Sequence, residues 1–175
     1  MIAEGWISNK EMELVHYHMR REGSILEVGC AVGKLFSYLY SFHPNWKYTV
    51  VDPFEEELVY LQKDWNKGYF EKDNLGELVT RKLFEKNCPF AHVNQCYFEN
   101  FETDEKFDIV SLGLVGSKVD YIECYKKAKT LLNPNGLIIG RNYNHKKYGD
   151  VIKEAIDCIG GNIIDTAKGS FVLNV

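Results

Sequence analysis

The sequence predicts an open, doubly wound α/β sheet of seven strands, mostly parallel, with helices on both faces and a C-terminal antiparallel hairpin. Three observations predict it. Short apolar runs alternate with longer amphipathic ones along the whole chain. A glycine turn follows the first apolar run and feeds straight into a helical stretch. The tail, NIIDTAKGSFVLNV, reads as two strands joined at Lys168-Gly169.

Each element has a local reason. Ser8 is followed three residues later by Glu11, a capping-box spacing, which predicts a helix over 8–21 that Gly23 closes. Ile25 to Val28 forms the first strand. Lys34 to Phe42 reads as a helix stopped by Pro44, and the β-branched run Tyr48 to Val51 as a buried strand. A helical insertion is expected at about 54–89, with helices over 55–65 and 75–86 joined by Asn66-Lys67-Gly68-Tyr69-Phe70. That aromatic and basic loop, like Trp6 near the N-terminus, is either a cover for a ligand or packing for the body. Strands follow at Ala91–Asn94, Asp108–Leu112 and Leu137–Gly140. Between the last two, Asp120 to Leu132 carries Tyr121, Cys124, Tyr125, Ala128, Leu131 and Leu132 on one helical stripe, and Asn133-Pro134-Asn135-Gly136 makes a turn. Asp150 to Ile159 is a last helix, closed by Gly160-Gly161.

Composition narrows the class. At 175 residues, 45% hydrophobic and 26% charged, the chain reads as a single domain over 1–175 able to bury a large core. A net charge of −4 gives no general attraction for phosphate backbones, which argues against a nucleic-acid partner. No run of about 18 apolar residues is present to span a membrane, and the N-terminus reads as mature protein rather than a signal peptide. The five cysteines (Cys30, Cys88, Cys96, Cys124 and Cys158) form no CxxC pair, which suits reduced thiols and a cytoplasmic location. Oligomeric state is not legible.

In open α/β sheets, ligands sit outside the carboxyl ends of the strands where the strand order reverses. The first strand ends in Glu27-Val28-Gly29-Cys30-Ala31-Val32-Gly33. Glycine there permits a tight turn and close approach of a ligand to the main chain, and exposed N–H groups at a helix start favour polar or anionic atoms. The next strand ends at Asp52, where a carboxylate can accept from both hydroxyls of a ribose. The dinucleotide fingerprint G-x-G-x-x-G fails, because Ala31 and Lys34 stand where two of its glycines fall. The plainer alternative is a strand-to-helix turn with Asp52 as a helix cap.

Glu27-Val28-Gly29, an acid two before the first glycine, resembles motif I of the class I S-adenosylmethionine-dependent methyltransferases, (D/E)-x-G-x-G-x-G. ILEVGCAVG, YTVVDPF, FDIVSL and KKAKTLLNPNGLIIG follow that family's order of elements across nearly the whole chain. The resemblance implies a Rossmann-like methyltransferase domain with S-adenosyl-L-methionine as cofactor. It places Glu27, Gly29, Cys30, Ala31 and Gly33 at the methionine and ribose side, Asp52 on the ribose, and Phe54 against the adenine. Cys96-Tyr97, where many members carry G-D, and Leu112 complete the expected cofactor set. Ala31 departs from the middle glycine of the motif.

The acceptor side is expected after the fourth and fifth strands. Gly113-Leu114-Val115-Gly116-Ser117 holds no acid or histidine, and neither D/N-P-P-Y nor D-G-x-H is present. The first absence argues against nucleobase amino acceptors. With no acid after the fourth strand, no metal is expected. After the fifth strand comes Arg141-Asn142-Tyr143-Asn144-His145-Lys146-Lys147, where His145 could act as a base and Asn142 and Tyr143 could orient an acceptor; the alternative is a polar loop leading into the last helix. The expected function is metal-independent methyl transfer to a small-molecule acceptor, with a hydroxyl preferred. Two alternatives stay open: a non-catalytic cofactor-binding or scaffold module, and an RNA or protein methyltransferase.

Overall fold

The structure is a computed structural model that describes residues 7–54, 81–113 and 119–175. Trp6, the helix expected over 55–65, the loop 66–70, the first part of the helix expected over 75–86, and the turn 114–117 lie outside the described residues. The described elements in chain order are α1 (Asn9–His18), β1 (Ser24–Val28), α2 (Lys34–Tyr40), β2 (Lys47–Val51), α3 (Arg81–Asn87), β3 (His92–Asn94), a 3-10 turn (Phe98–Asn100), β4 (Phe107–Leu112), α4 (Tyr121–Thr130), β5 (Leu132–Gly140), α5 (Gly149–Cys158), β6 (Asn162–Ala167) and β7 (Ser170–Asn174).

Among these residues, seven strands form one sheet in the order β3-β2-β1-β4-β5-β7-β6. Strands β1 to β5 pair in parallel, and β7 runs antiparallel to both β5 and β6. The expected fold is present. Strand order reverses between β1 and β4, so the carboxyl ends of those two strands form the switch point.

Local chemistry accounts for most boundaries. The capping box is made: the Ser8 amide donates to Glu11 Oε2 at 2.8 Å and the Glu11 amide to Ser8 Oγ at 3.3 Å. Helix α1 ends at His18, earlier than expected. Met19 is extended and buried, and Trp46 Nε1 donates to the Arg20 carbonyl at 2.9 Å, so the chain is already committed to entering β1. Asn133 to Gly136 turns as expected, but inside the ladder rather than before it. Phe107 pairs with Leu132 and Ile109 with Leu137, so the four residues between bulge out, with Asn135 at φ 63°. The hairpin turn has Lys168 at φ 50° and Gly169 at φ 86°, the two left-handed residues of a type I′ connection.

Alternation along the strands divides the core. Ile25, Val50, Ile109, Ile139 and Val172 pack with α1, α2 and α3, while Leu26, Val28, Val110, Ile138 and Leu173 pack with α4 and α5. By the same period of two, Glu27 and Ser111 share the α1 face with Ile25 and Ile109. They are register partners on adjacent strands at the switch point.

Candidate cofactor site at the switch point

The floor of the site is bare main chain. Gly113, the first residue after β4, donates its amide to the Val28 carbonyl at 2.8 Å. A Cβ on Gly113 would lie 2.6 Å from the Gly29 carbonyl oxygen and 2.9 Å from that of Val28. Gly29 reciprocates, since its own Cβ would meet the Gly113 carbonyl at 3.1 Å, and its φ of 76° suits glycine. Gly33 closes the turn at φ 81°, where a side chain would strike the Cys88 sulfur at 2.6 Å. Sequence reasoning misses Gly113 as part of the floor; a glycine directly after β4, beside the switch-point strand, is the signal that could have found it.

On the α1 face of this floor lies a buried polar group. Glu27 is 2% exposed, and its Oε1 accepts from Arg141 Nη2 at 3.4 Å. Its Oε2 has no hydrogen-bond partner among the described residues, and neither has the Oγ of fully buried Ser111. Burial pushes the Glu27 carboxyl up to about 8; nearby Asp52 adds to the rise and Arg141 opposes it. Two unpaired buried polar groups on neighbouring strands are costly unless a ligand supplies their partners. Glu11 closes the group from α1, accepting from Ser170 Oγ at 2.6 Å through the carboxylate that also caps its helix, and it feels the charge of Arg141.

Asp52 directs its carboxylate at the glycine turn. Oδ2 accepts from the amides of Cys30 at 2.9 Å and Ala31 at 3.3 Å, while Oδ1 accepts from the amide of Phe54 at 2.8 Å. Burial raises the Asp52 pKa, and these amide bonds oppose the rise. The group remains half-buried, with lone-pair capacity on Oδ1 beyond the one bond it accepts. Cys30 is buried, with its thiol 3.6 Å from Asp52 Oδ2, and burial with the neighbouring carboxylates pushes its pKa well up. That makes Cys30 a packing group, not a nucleophile.

The other expected residues divide. Leu112 is buried at the end of β4, level with Val28 and Gly140. Cys96 and Tyr97 follow β3, with Cys96 half-buried and Tyr97 exposed at the start of the 3-10 turn. Phe54, expected against the adenine, follows Asp52 and Pro53 after β2. Its φ of 49° turns the side chain inward, where it is 8% exposed and 5.8 Å from the Phe84 ring.

The three acceptor-side residues cluster with α5. Asn142 turns the chain at φ 66°, and its carbonyl accepts from the His145 amide at 2.9 Å. The Tyr143 ring packs edge-on to Phe171 at 5.4 Å. His145 stacks on Tyr148 at 4.7 Å, and its Nδ1 accepts from the Lys147 amide at 3.2 Å. These contacts tie the loop to itself, to α5 and to Phe171 of β7, whereas Glu27, Gly29, Asp52, Gly113 and Arg141 converge at the switch point.

The family described as "Methyltransferase domain" matches residues 8–153. No curated protein matches the chain. Among solved structures, a ribosomal protein L11 methylase from Lactobacillus delbrueckii subsp. bulgaricus superposes with a TM-score of 0.63 at 14% identity, covering 93% of this chain and 74% of that one. A TehB-like SAM-dependent methyltransferase from Corynebacterium glutamicum gives 0.61 at 14% identity, covering 94% and 85%. Coclaurine N-methyltransferase, bound to N-methylheliamine and SAH, gives 0.50 at 17% identity; 74% of this chain is covered, but it spans only 34% of that protein's length. The chain belongs to the methyltransferase-domain family, within the class I S-adenosylmethionine-dependent methyltransferases.

Proposed function

We propose that the protein transfers the methyl group of S-adenosylmethionine to a hydroxyl or amine of a small-molecule acceptor, without a metal. The observation that carries this reading is the pair of orphaned buried polar atoms, Glu27 Oε2 and Ser111 Oγ, beside the main-chain floor of Gly29 and Gly113. The cofactor fits that chemistry. It brings an ammonium group, which satisfies buried acceptors, and ribose hydroxyls, which donate to a carboxylate.

S-adenosylmethionine supplies an electrophilic methyl on a sulfonium sulfur. Glu27 and Ser111 receive the amino-acid end, with Arg141 holding Glu27 from the other side. The turn from Gly29 through Ala31 to Gly33 lets the ligand lie against the backbone, and Asp52 borders the ribose. Leu112, Cys96 and Tyr97 border the remainder. Asn142, Tyr143 and His145 line the approach to the acceptor, orienting it and taking up a proton where the acceptor must lose one.

The likeness to coclaurine N-methyltransferase supports an amine acceptor as readily as a hydroxyl. No described helix is long and apolar enough to cross a membrane. The five free cysteines support a reducing, cytoplasmic setting.

The test is turnover. The protein is incubated with methyl-labelled S-adenosylmethionine and a panel of phenols, alcohols and primary and secondary amines, and label transfer is followed. Transfer to a panel member is the expected result. Cofactor binding with no transfer across a broad panel marks a binding module instead, and strongly salt-dependent binding of RNA turns the reading toward nucleic acid.

A further inference from the structure

Two non-glycine residues beside the site hold left-handed backbone: Ala31 at φ 49° and Phe54 at φ 49°. That region is unfavourable for residues with a Cβ, and such strain persists only where the surroundings over-determine it. Both strained residues donate their amides to one carboxylate. Ala31 reaches Asp52 Oδ2 at 3.3 Å and Phe54 reaches Oδ1 at 2.8 Å, while Cys30 adds a 2.9 Å bond to Oδ2. Asp52 therefore ties the turn after β1 to the segment after β2, at a point where the Gly29 amide already bonds the Val51 carbonyl at 3.0 Å.

We propose that Asp52, besides bordering the ribose, is a positioning residue: its carboxylate holds Ala31 and Phe54 in their left-handed conformations, and part of its contribution to cofactor affinity comes through the turn it shapes. The carboxylate suits this task because both oxygens accept. An asparagine keeps one acceptor and turns an NH2 donor toward an amide on the other side. Alanine at 31, where the motif has glycine, makes the turn dependent on that carboxylate, because glycine adopts the same φ without strain. The cofactor arm of the test rests on the methyltransferase reading, and the ligand-free arm does not.

In ligand-free protein, amide hydrogen exchange at Cys30, Ala31 and Phe54 should accelerate at least about tenfold in Asp52→Ala, with the β1 and β4 amides unchanged. Calorimetry with S-adenosylhomocysteine and its 2′,3′-dideoxy analogue follows. Asp52→Ala should weaken both ligands, at least about fivefold even for the one without ribose hydroxyls, and adding Ala31→Gly should recover that shared loss. If Asp52→Ala does not fold by circular dichroism, Asp52→Asn with and without Ala31→Gly carries the same comparison. Unchanged exchange at the three amides overturns the proposal. So does a loss seen only with the ligand that keeps its ribose hydroxyls, or no recovery from glycine at 31. If the wild-type protein binds neither ligand, the methyltransferase reading fails, and the exchange experiment still decides the role of Asp52.

Discussion

Glu27 Oε1 and Arg141 Nη2 stand 3.4 Å apart across the switch point, joining residues 114 apart in sequence, and the second oxygen of Glu27 faces no donor among the described residues. The pair is buried on the acid's side, with Glu27 2% and Arg141 19% exposed. Removing the cation leaves a buried carboxyl with less support. With the Glu27 carboxyl pushed up to about 8, Arg141→Met should lower stability by about 1–2 kcal/mol at neutral pH and by more above about pH 8, where the carboxylate is charged, read as a shift of the urea midpoint at unchanged slope. An unmoved midpoint would show that the guanidinium contributes nothing to holding Glu27.

The raised pKa of Glu27 sets a pH dependence. An acid whose folded pKa lies above its unfolded value binds more protons when folded, so stability falls as pH rises between the two values. For Glu27 the window runs from its ordinary 4.5 to about 8. Ligand-free protein should therefore lose stability across that window relative to Glu27→Gln, at up to about 1.4 kcal/mol per pH unit. Parallel stability curves for the two proteins would place the Glu27 carboxyl in the ordinary range.

The same group gives cofactor binding a proton signature. Near pH 7 the free carboxyl is largely protonated, with its pKa at about 8, and a bound ammonium favours the carboxylate. Binding of S-adenosylhomocysteine should release a fraction of a proton, measured by calorimetry in buffers of different ionisation enthalpy. Glu27→Gln should abolish that release. Proton uptake on binding would contradict the placement of the ammonium at Glu27.

Gly113 leaves no room for a side chain, because main-chain oxygens of Gly29 and Val28 stand 2.6 and 2.9 Å from where its Cβ would be. Neither can shift without parting β1 from β4. Gly113→Ala should cost about 1–3 kcal/mol of stability and weaken cofactor binding at least about tenfold. Wild-type affinity in that variant would show that the floor tolerates a methyl group.

Glu11 serves the N-cap of α1 and the Ser170 hydroxyl with one carboxylate. Glu11→Ala should destabilise the protein by about 1–2 kcal/mol. Glu11→Gln, which keeps an acceptor for the Ser8 amide and gains a donor toward Ser170, should lose less. Equal losses would mean that the negative charge, rather than the hydrogen bonds, ties α1 to β7.

Much of this was legible in the residues because it is local. The capping box at Ser8 and Glu11, the glycine turn after β1, the carboxylate ending β2 and the Lys168-Gly169 hairpin each depend on a few neighbouring residues. The partnership of Glu27 with Arg141, and its register with Ser111, depends on strand order, which places β1, β4 and β5 side by side. A polar residue at an inward position of two buried strands was the available sign of it. The inward turn of Phe54 was not legible, because a left-handed φ at phenylalanine has no signature in composition or periodicity; it follows from the Asp52 bond. The bulge at Asn133 to Gly136 shares its turn chemistry with a free loop, and only the pairing on both sides with Phe107 and Ile109 places it within the ladder.

The most direct measurement is titration calorimetry of the folded, wild-type protein with S-adenosylhomocysteine. A single saturable site, lost or weakened at least about tenfold in Gly113→Ala, is the predicted result. A well-folded protein that gives no binding heat at any temperature tried, and no thermal stabilisation by the ligand, would contradict a cofactor site at the β1–β4 switch point.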